Sequence, residues 1–190
     1  MINYYLGDLL AHKDKFDYIA HGCNCFHLMG AGIAEQVSSK FPNTYLADIQ
    51  NSIKGDTNKL GDFTYDKEDK ILNLYTQYQP GPNVDYDAIR KVFRKLNKEF
   101  PGKHIAIPRI GCGIAGGDWN LVTKIISEEC TNIDITVFLY AKDFDKPHCL
   151  YYVVEDIFID GHKVFFQGLL GYIKDDDDNQ KHFKKVEFLA

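Results

Sequence analysis

Two glycine-rich segments about eighty residues apart carry the most legible chemistry of this chain. One reads Met29-Gly30-Ala31-Gly32-Ile33-Ala34. The other reads Ile110-Gly111-Cys112-Gly113-Ile114-Ala115-Gly116-Gly117-Asp118-Trp119. Each follows an apolar, strand-like run and leads into a helical pattern. Glycines there let backbone N–H groups approach a ligand closely, and a helix N-terminus favours an anionic group. Two such loops can hold one diphosphate between them, which points to a nucleotide-diphosphate ligand. Ahead of the first loop stands His21, whose imidazole could protonate a leaving oxygen or, when charged, hold a terminal phosphate. A histidine satisfied within a sheet is the alternative, and His27 is a second candidate for the same work. In an extended segment His21, Cys23, Cys25 and His27 share one face, with the ligand softness that zinc prefers. Structural zinc sites, however, combine two short ligand pairs from different loops, so no metal is expected. Cys112 suits its loop by small size rather than as a thiolate. Asp118 could activate water, but its place just before Trp119 marks it as a helix N-cap.

The elements that must position these residues alternate between strand and helix. Residues 2–6 read as a strand ending at Gly7-Asp8, and residues 16–21 as a second running into the first loop. The helical pattern over 32–41 places Ile33, Gln36, Val37 and Lys40 at turn spacing and closes at Phe41-Pro42. A short helix over 44–52 and paired strands over 62–65 and 70–75 follow. After the stiff Pro80-Gly81-Pro82 comes an amphipathic helix through Ile89, Val92, Phe93 and Leu96. Residues 104–108 form a buried strand feeding the second loop. A helix with Trp119, Val122, Ile125 and Ile126 comes next, and a strand over 133–140 closes the core. The fold implied is α/β: a three-layer α/β/α sandwich around a mixed, mostly parallel sheet, with ligand at the carboxyl ends of the strands. The first strand ends in Gly-Asp-Leu without a G-x-G-x-x-G turn, which disfavours a dehydrogenase.

At 190 residues and 45% hydrophobic, the chain is long enough for one well-buried domain and an appendage. The composition shifts near residue 143, dividing the chain into a core over 1–142 and a β-rich C-terminal extension over 143–190. Within the extension, Ile157-Phe158-Ile159 and Lys163-Val164-Phe165-Phe166 flank Asp160-Gly161 as a hairpin. Most of the net charge of −5 falls there, and Asp175-Asp176-Asp177-Asp178 reads as a solvated loop. The aromatic strands of the extension need burial, on the core, in a dimer or against a protein partner. A pI near 5.8 disfavours nucleic acid as partner, since nonspecific binding rests on phosphate neutralisation. No apolar run reaches the roughly 20 residues a membrane helix needs, and no signal-peptide pattern opens the chain. Five cysteines without a regular framework suit a reducing cytosol, so a cytoplasmic protein is expected.

In order, spacing and motifs, residues 1–142 resemble the macrodomains that bind ADP-ribose. His21-Gly22-Cys23-Asn24-Cys25, followed by Gly30-Ala31-Gly32-Ile33-Ala34, resembles the branch of ADP-ribose-1''-phosphate phosphatases. Met29 to Ala34 together with Pro108-Arg109-Ile110-Gly111-Cys112-Gly113 also resembles the branch that removes terminal ADP-ribose from modified glutamates. The resemblance implies that Asp8 accepts from the adenine amino group, that Leu9 offers a backbone N–H to the same ring, and that Tyr140 stacks on it. It implies that Asn24 hydrogen-bonds the distal ribose. Gly30, Ala31, Gly32 and Ile33, with Gly111, Cys112, Gly113, Ile114, Ala115 and Gly116, would wrap the diphosphate with backbone donors. His21 and Asn24 are then the catalytic candidates.

The glutamate-acting branch uses a lysine just after the middle strand as nucleophile and an aspartate in the second loop. Gln77 and Ala115 stand at those positions here. Glutamine is not nucleophilic and a methyl group accepts no proton, so that route lacks its chemistry. The expectation is a protein that binds ADP-ribose or ADP-ribose 1''-phosphate and hydrolyses the terminal phosphate of the latter without a cofactor, chiefly by positioning. A non-catalytic ADP-ribose binding module is the first alternative. An ADP-ribosyl hydrolase acting on macromolecules by another mechanism is the second.

Overall fold

The computed structural model describes residues 2–139, 157–159 and 162–164. Six strands form one sheet: β1 (Ile2–Leu6), β2 (Tyr18–Asn24), β3 (Phe63–Asp66), β4 (Ile71–Gln77), β5 (His104–Ile107) and β6 (Asp134–Leu139). Their order is β1-β6-β5-β2-β4-β3, and every neighbouring pair is parallel except β3 with β4. Parallel neighbours need crossover connections. Helices α1 (Gly32–Lys40), α2 (Pro42–Asn51), α3 (Tyr86–Glu99) and α4 (Trp119–Glu129) supply them, and a 3-10 turn over Leu10–Lys15 links β1 to β2.

Alternate residues of the strands enter two separate cores. Ala20, Leu72, Leu74, Ile105, Ile107 and Val137 pack with α3 and α4 through Ile89, Phe93, Val122 and Ile126. Their neighbours Ile19, Ile71, Ala106 and Phe138 pack on the other side with Leu10 and Val37. Burial on both faces explains why residues 71–76 of β4 are all buried and show no polar alternation. The three-layer α/β/α sandwich with a mostly parallel sheet is the arrangement expected. Asp85 and Asp118 cap α3 and α4, accepting the N–H of Ala88 at 2.8 Å and of Asn120 at 2.9 Å.

Two boundaries differ from expectation. Helix α2 starts at Pro42, because proline at the first helical turn needs no hydrogen-bond acceptor. Strand β2 runs three residues past His21, to Asn24, held by pairing with β4 across an irregularity at Cys23/Asn24 that sets Asn24 opposite Gln77. That pairing has no signature in the local pattern Gly22-Cys23-Asn24.

In the extension, β7 (Ile157–Ile159) and β8 (His162–Val164) pair antiparallel, with Ile157 opposite Val164. Tyr140, the Asp160-Gly161 turn and the rest of the extension lie outside the described residues. No helix among the described residues is long and apolar enough to cross a membrane.

Candidate functional site

The carboxyl ends of β1, β6, β5, β2 and β4 stand side by side along one edge of the sheet. Asp8 follows β1, loop two (residues 108–118) follows β5, loop one (residues 25–31) follows β2, and Gln77 ends β4. At about 4.8 Å per strand, β1 and β4 are about 19 Å apart. An elongated ligand lying along this edge meets these segments in that order.

Loop one is shaped by Asn24. Its Oδ1 accepts the N–H of Phe26 at 2.9 Å and of Leu28 at 3.4 Å, while its Nδ2 donates to the Leu28 carbonyl at 2.7 Å. Both ends of the Asn24 side-chain amide, the group expected to meet the distal ribose, are thus engaged in the loop's own turn. Beyond it, the amides of Gly30, Ala31, Gly32 and Ile33 make no hydrogen bond among the described residues. Helix α1 begins here with Ala31 at its N-cap and no side-chain cap, which leaves its first-turn N–H groups without a capping partner among the described residues. That is the electrostatic setting in which a helix N-terminus takes an anion.

Loop two is built differently. Gly117 donates to the Gly111 carbonyl at 2.8 Å and Gly116 to the Gly113 carbonyl at 3.1 Å, closing a compact bow. Gly111 and Gly116 have φ of 76° and 74°, and a Cβ on Gly117 would lie 2.7 Å from the Gly111 carbonyl oxygen. These three glycines are required by the loop itself. At its tip the amides of Gly113, Ile114 and Ala115 have no partner among the described residues. The N-cap role expected of Asp118 is what the structure shows. The Asp118 carboxylate occupies the start of α4, so in loop two the backbone tip is what remains for an anion. Val84 donates to the Ala115 carbonyl at 3.2 Å and the Tyr86 hydroxyl accepts from the Asp118 N–H at 2.8 Å, which ties loop two to the segment after β4. Burial pushes the Cys112 thiol up to about 12, so it is a neutral thiol at physiological pH.

At the far end of the edge, Asp8 is half-buried and its Oδ1 accepts the Leu10 N–H at 2.9 Å, which leaves the second carboxylate oxygen for a ligand. Leu9 is buried in the core and can serve a ligand only through its backbone. Gly7 donates to the Leu139 carbonyl at 2.9 Å, joining the ends of β1 and β6. Tyr140 would follow directly, outside the described residues.

His21 needs correction. Because β2 continues to Asn24, His21 sits within the strand, 1% exposed, instead of at its mouth. Its Nε2 lies 2.8 Å from Asn73 Oδ1, and the Asn73 amide nitrogen donates to the Thr44 carbonyl and the Thr64 hydroxyl. Asn73 therefore presents only an acceptor, which makes Nε2 the protonated nitrogen of a neutral ring. Burial drives its pKa down to about 4, against the opposing pull of the Asn73 hydrogen bond and the Asp48 charge. This is a buried histidine whose Nε2 is committed to Asn73. Gln77 donates to the Gln79 carbonyl at 2.8 Å, and Ala115 is buried, so neither position supplies a nucleophile or base. Among the described residues no group of three or more His, Cys, Asp or Glu side chains is placed to hold a metal.

Sequence reasoning missed Asp48 and Lys59, a buried ion pair under loop one with Nζ to Oδ1 at 3.1 Å. The signal was present in helix spacing: Thr44, Ala47 and Asp48 share the buried face of α2.

The sequence profile of the Macro domain family matches residues 20–126. The chain is 37% identical over 147 residues to the uncharacterized 17.5 kDa protein in the tk-vs intergenic region of Enterobacteria phage T4, covering 72% of this chain and 95% of that one. It is 31% identical over 144 residues to human ADP-ribose glycohydrolase OARD1, covering 72% and 90%. A 49-residue stretch is 47% identical to an ADP-ribose 1''-phosphate phosphatase of Scheffersomyces stipitis, covering 24% and 28%. The fold matches the macrodomain of Thermus aquaticus DarG with a TM-score of 0.60 at 21% identity, over 73% of this chain and 98% of that one.

Proposed function

The chain belongs to the Macro domain family, and from that premise we propose that it binds the ADP-ribosyl group along the sheet edge and hydrolyses the terminal phosphate of ADP-ribose 1''-phosphate. One observation carries the binding reading. Gly30 in loop one and Gly113 in loop two have no left-handed backbone, and a Cβ on either would meet nothing within 4 Å. Neither conformation nor packing among the described residues requires glycine at these two positions. Space for a ligand pressed against the backbone does, and both lie beside unpartnered amides.

Phosphomonoester hydrolysis suits the groups present better than cleavage of a glycosidic bond. Gln77 stands where a lysine would have to form a covalent intermediate, and Ala115 where an acid would assist it. Water attacking phosphorus needs chiefly an aligned ester and donors for the charge on the phosphoryl oxygens, which the loop amides can supply. The P–O1'' bond breaks as the water oxygen bonds to phosphorus and stays on phosphate; the water gives up a proton to solvent, and the released 1''-oxygen takes one from solvent to become the hydroxyl. The 49-residue similarity to the ADP-ribose 1''-phosphate phosphatase of Scheffersomyces stipitis supports the same reading.

Incubation with ADP-ribose 1''-phosphate should release inorganic phosphate, and calorimetric titration with ADP-ribose should show one site. Binding without phosphate release leaves a non-catalytic ADP-ribose module; no binding removes the ligand assignment altogether.

For the adenine end, Asp8→Asn keeps the Oδ1 acceptor for Leu10 but turns the second oxygen into a donor. It is expected to weaken ADP-ribose binding by about 1–3 kcal/mol with little change in melting temperature. Unchanged affinity would remove Asp8 from adenine recognition.

A further inference from the structure

Asp48 on α2 is fully buried, and its Oδ1 lies 2.6 Å from the Tyr75 hydroxyl, 3.1 Å from Lys59 Nζ and 3.2 Å from the Ser52 hydroxyl. Lys59 is 5% exposed, its ammonium 4.3 Å from the centre of the Tyr75 ring. Burying a carboxylate and an ammonium is unfavourable unless both are closely partnered, and apolar side chains of similar volume would pack as well. Packing alone therefore does not account for the pair.

The pair reaches loop one by two arms. Lys59 Nζ also donates to the Cys25 carbonyl at 3.3 Å. His27 Nδ1 lies 3.0 Å from Asp48 Oδ1, a close polar contact outside hydrogen-bond alignment. His27 has a φ of 59°, a left-handed conformation uncommon for a residue with a side chain, and its carbonyl accepts the Tyr45 hydroxyl at 3.3 Å. The pair thus contacts the residues on either side of Phe26, by a hydrogen bond at Cys25 and a close polar approach at His27, a few residues before the run of unpartnered amides.

The geometry points to Asp48 as a positioning residue for the ligand: with Lys59 it sets the course of loop one from beneath and so aims the amides of Gly30 to Ile33 at the distal half of the ADP-ribosyl group. Amides held in place before the ligand arrives need no ordering when it binds. This inference rests on the ligand assignment made above.

Two variants test it, each titrated with ADP-ribose and with AMP, which lacks the distal phosphate and ribose. Asp48→Leu/Lys59→Met exchanges both charges for apolar groups and should melt near wild type. Its ADP-ribose affinity is expected to fall at least about tenfold while AMP affinity stays within about twofold. His27→Gly fits the left-handed turn without strain, so it keeps the fold while cutting one arm, and should show the same selective loss to a smaller degree. Should the double variant fail to fold, the His27 variant decides alone. Wild-type affinity for ADP-ribose in a folded variant, or equal losses for both ligands, would overturn the positioning role. Wild-type protein that binds neither ligand refutes the ligand assignment instead.

Discussion

Gly113→Leu is expected to weaken ADP-ribose binding roughly 100-fold, or about 2.7 kcal/mol, while the protein melts within about 2 °C of wild type. The argument rests on what surrounds that backbone. Gly113 is exposed, lacks a left-handed φ, and a Cβ there would touch no atom of the described residues within 4 Å. A side chain at this place costs the fold little, yet it fills space beside the free amides of Ile114 and Ala115. Gly30→Leu should behave in the same way from the opposite loop. Gly117→Ala is the contrasting control. Its Cβ would lie 2.7 Å from a backbone oxygen, so that variant should lose stability as well as binding. Calorimetry and thermal melting of the three variants separate the cases. Full ADP-ribose affinity in Gly113→Leu would mean that the ligand does not approach loop two.

Acid should cost the protein about 3 kcal/mol of folding stability through His21 alone. In the unfolded chain the imidazole titrates near 6.5, whereas burial brings it to about 4 in the fold. Between those two values the unfolded chain holds the proton and the folded one does not. This stability is therefore fully present above pH 6.5 and is lost as pH falls toward 4. Urea unfolding at pH 7 and pH 4.5 should show the loss, and His21→Gln, which has no titrating ring, should reduce it by most of that amount. Equal acid losses in both proteins would mean that His21 is solvated. Compared at neutral pH, the same variant should release phosphate at a rate within about twofold of wild type, because a buried neutral ring whose Nε2–H is committed to Asn73 is poorly placed to give a proton to substrate.

The two loops were legible in the sequence because their determinants are local. Glycine spacing, the apolar runs ahead of them and the N-cap at Asp118 all act within a few residues. His21 was misplaced because its surroundings are set by partners more than twenty residues away. Strand β2 continues to Asn24 only because β4 pairs with it, and Asn73 meets His21 only in that pairing. Asn24 shows the same limit on a smaller scale. Its presence before the loop was readable, but the closing of its amide onto Phe26 and Leu28 was not.

By itself the sequence determined the order of strands and helices, the family, and the class of ligand suggested by two glycine loops without a lysine or an acid at the expected catalytic positions. The tertiary structure decided which amides stay unpartnered, that α1 begins open while α4 is closed by Asp118, and that Asp48 and Lys59 meet beneath loop one. The division follows from range. Turn, cap and strand propensities are encoded by neighbours in the chain. Burial, tautomer and the alignment of donors depend on which strands and helices pack together.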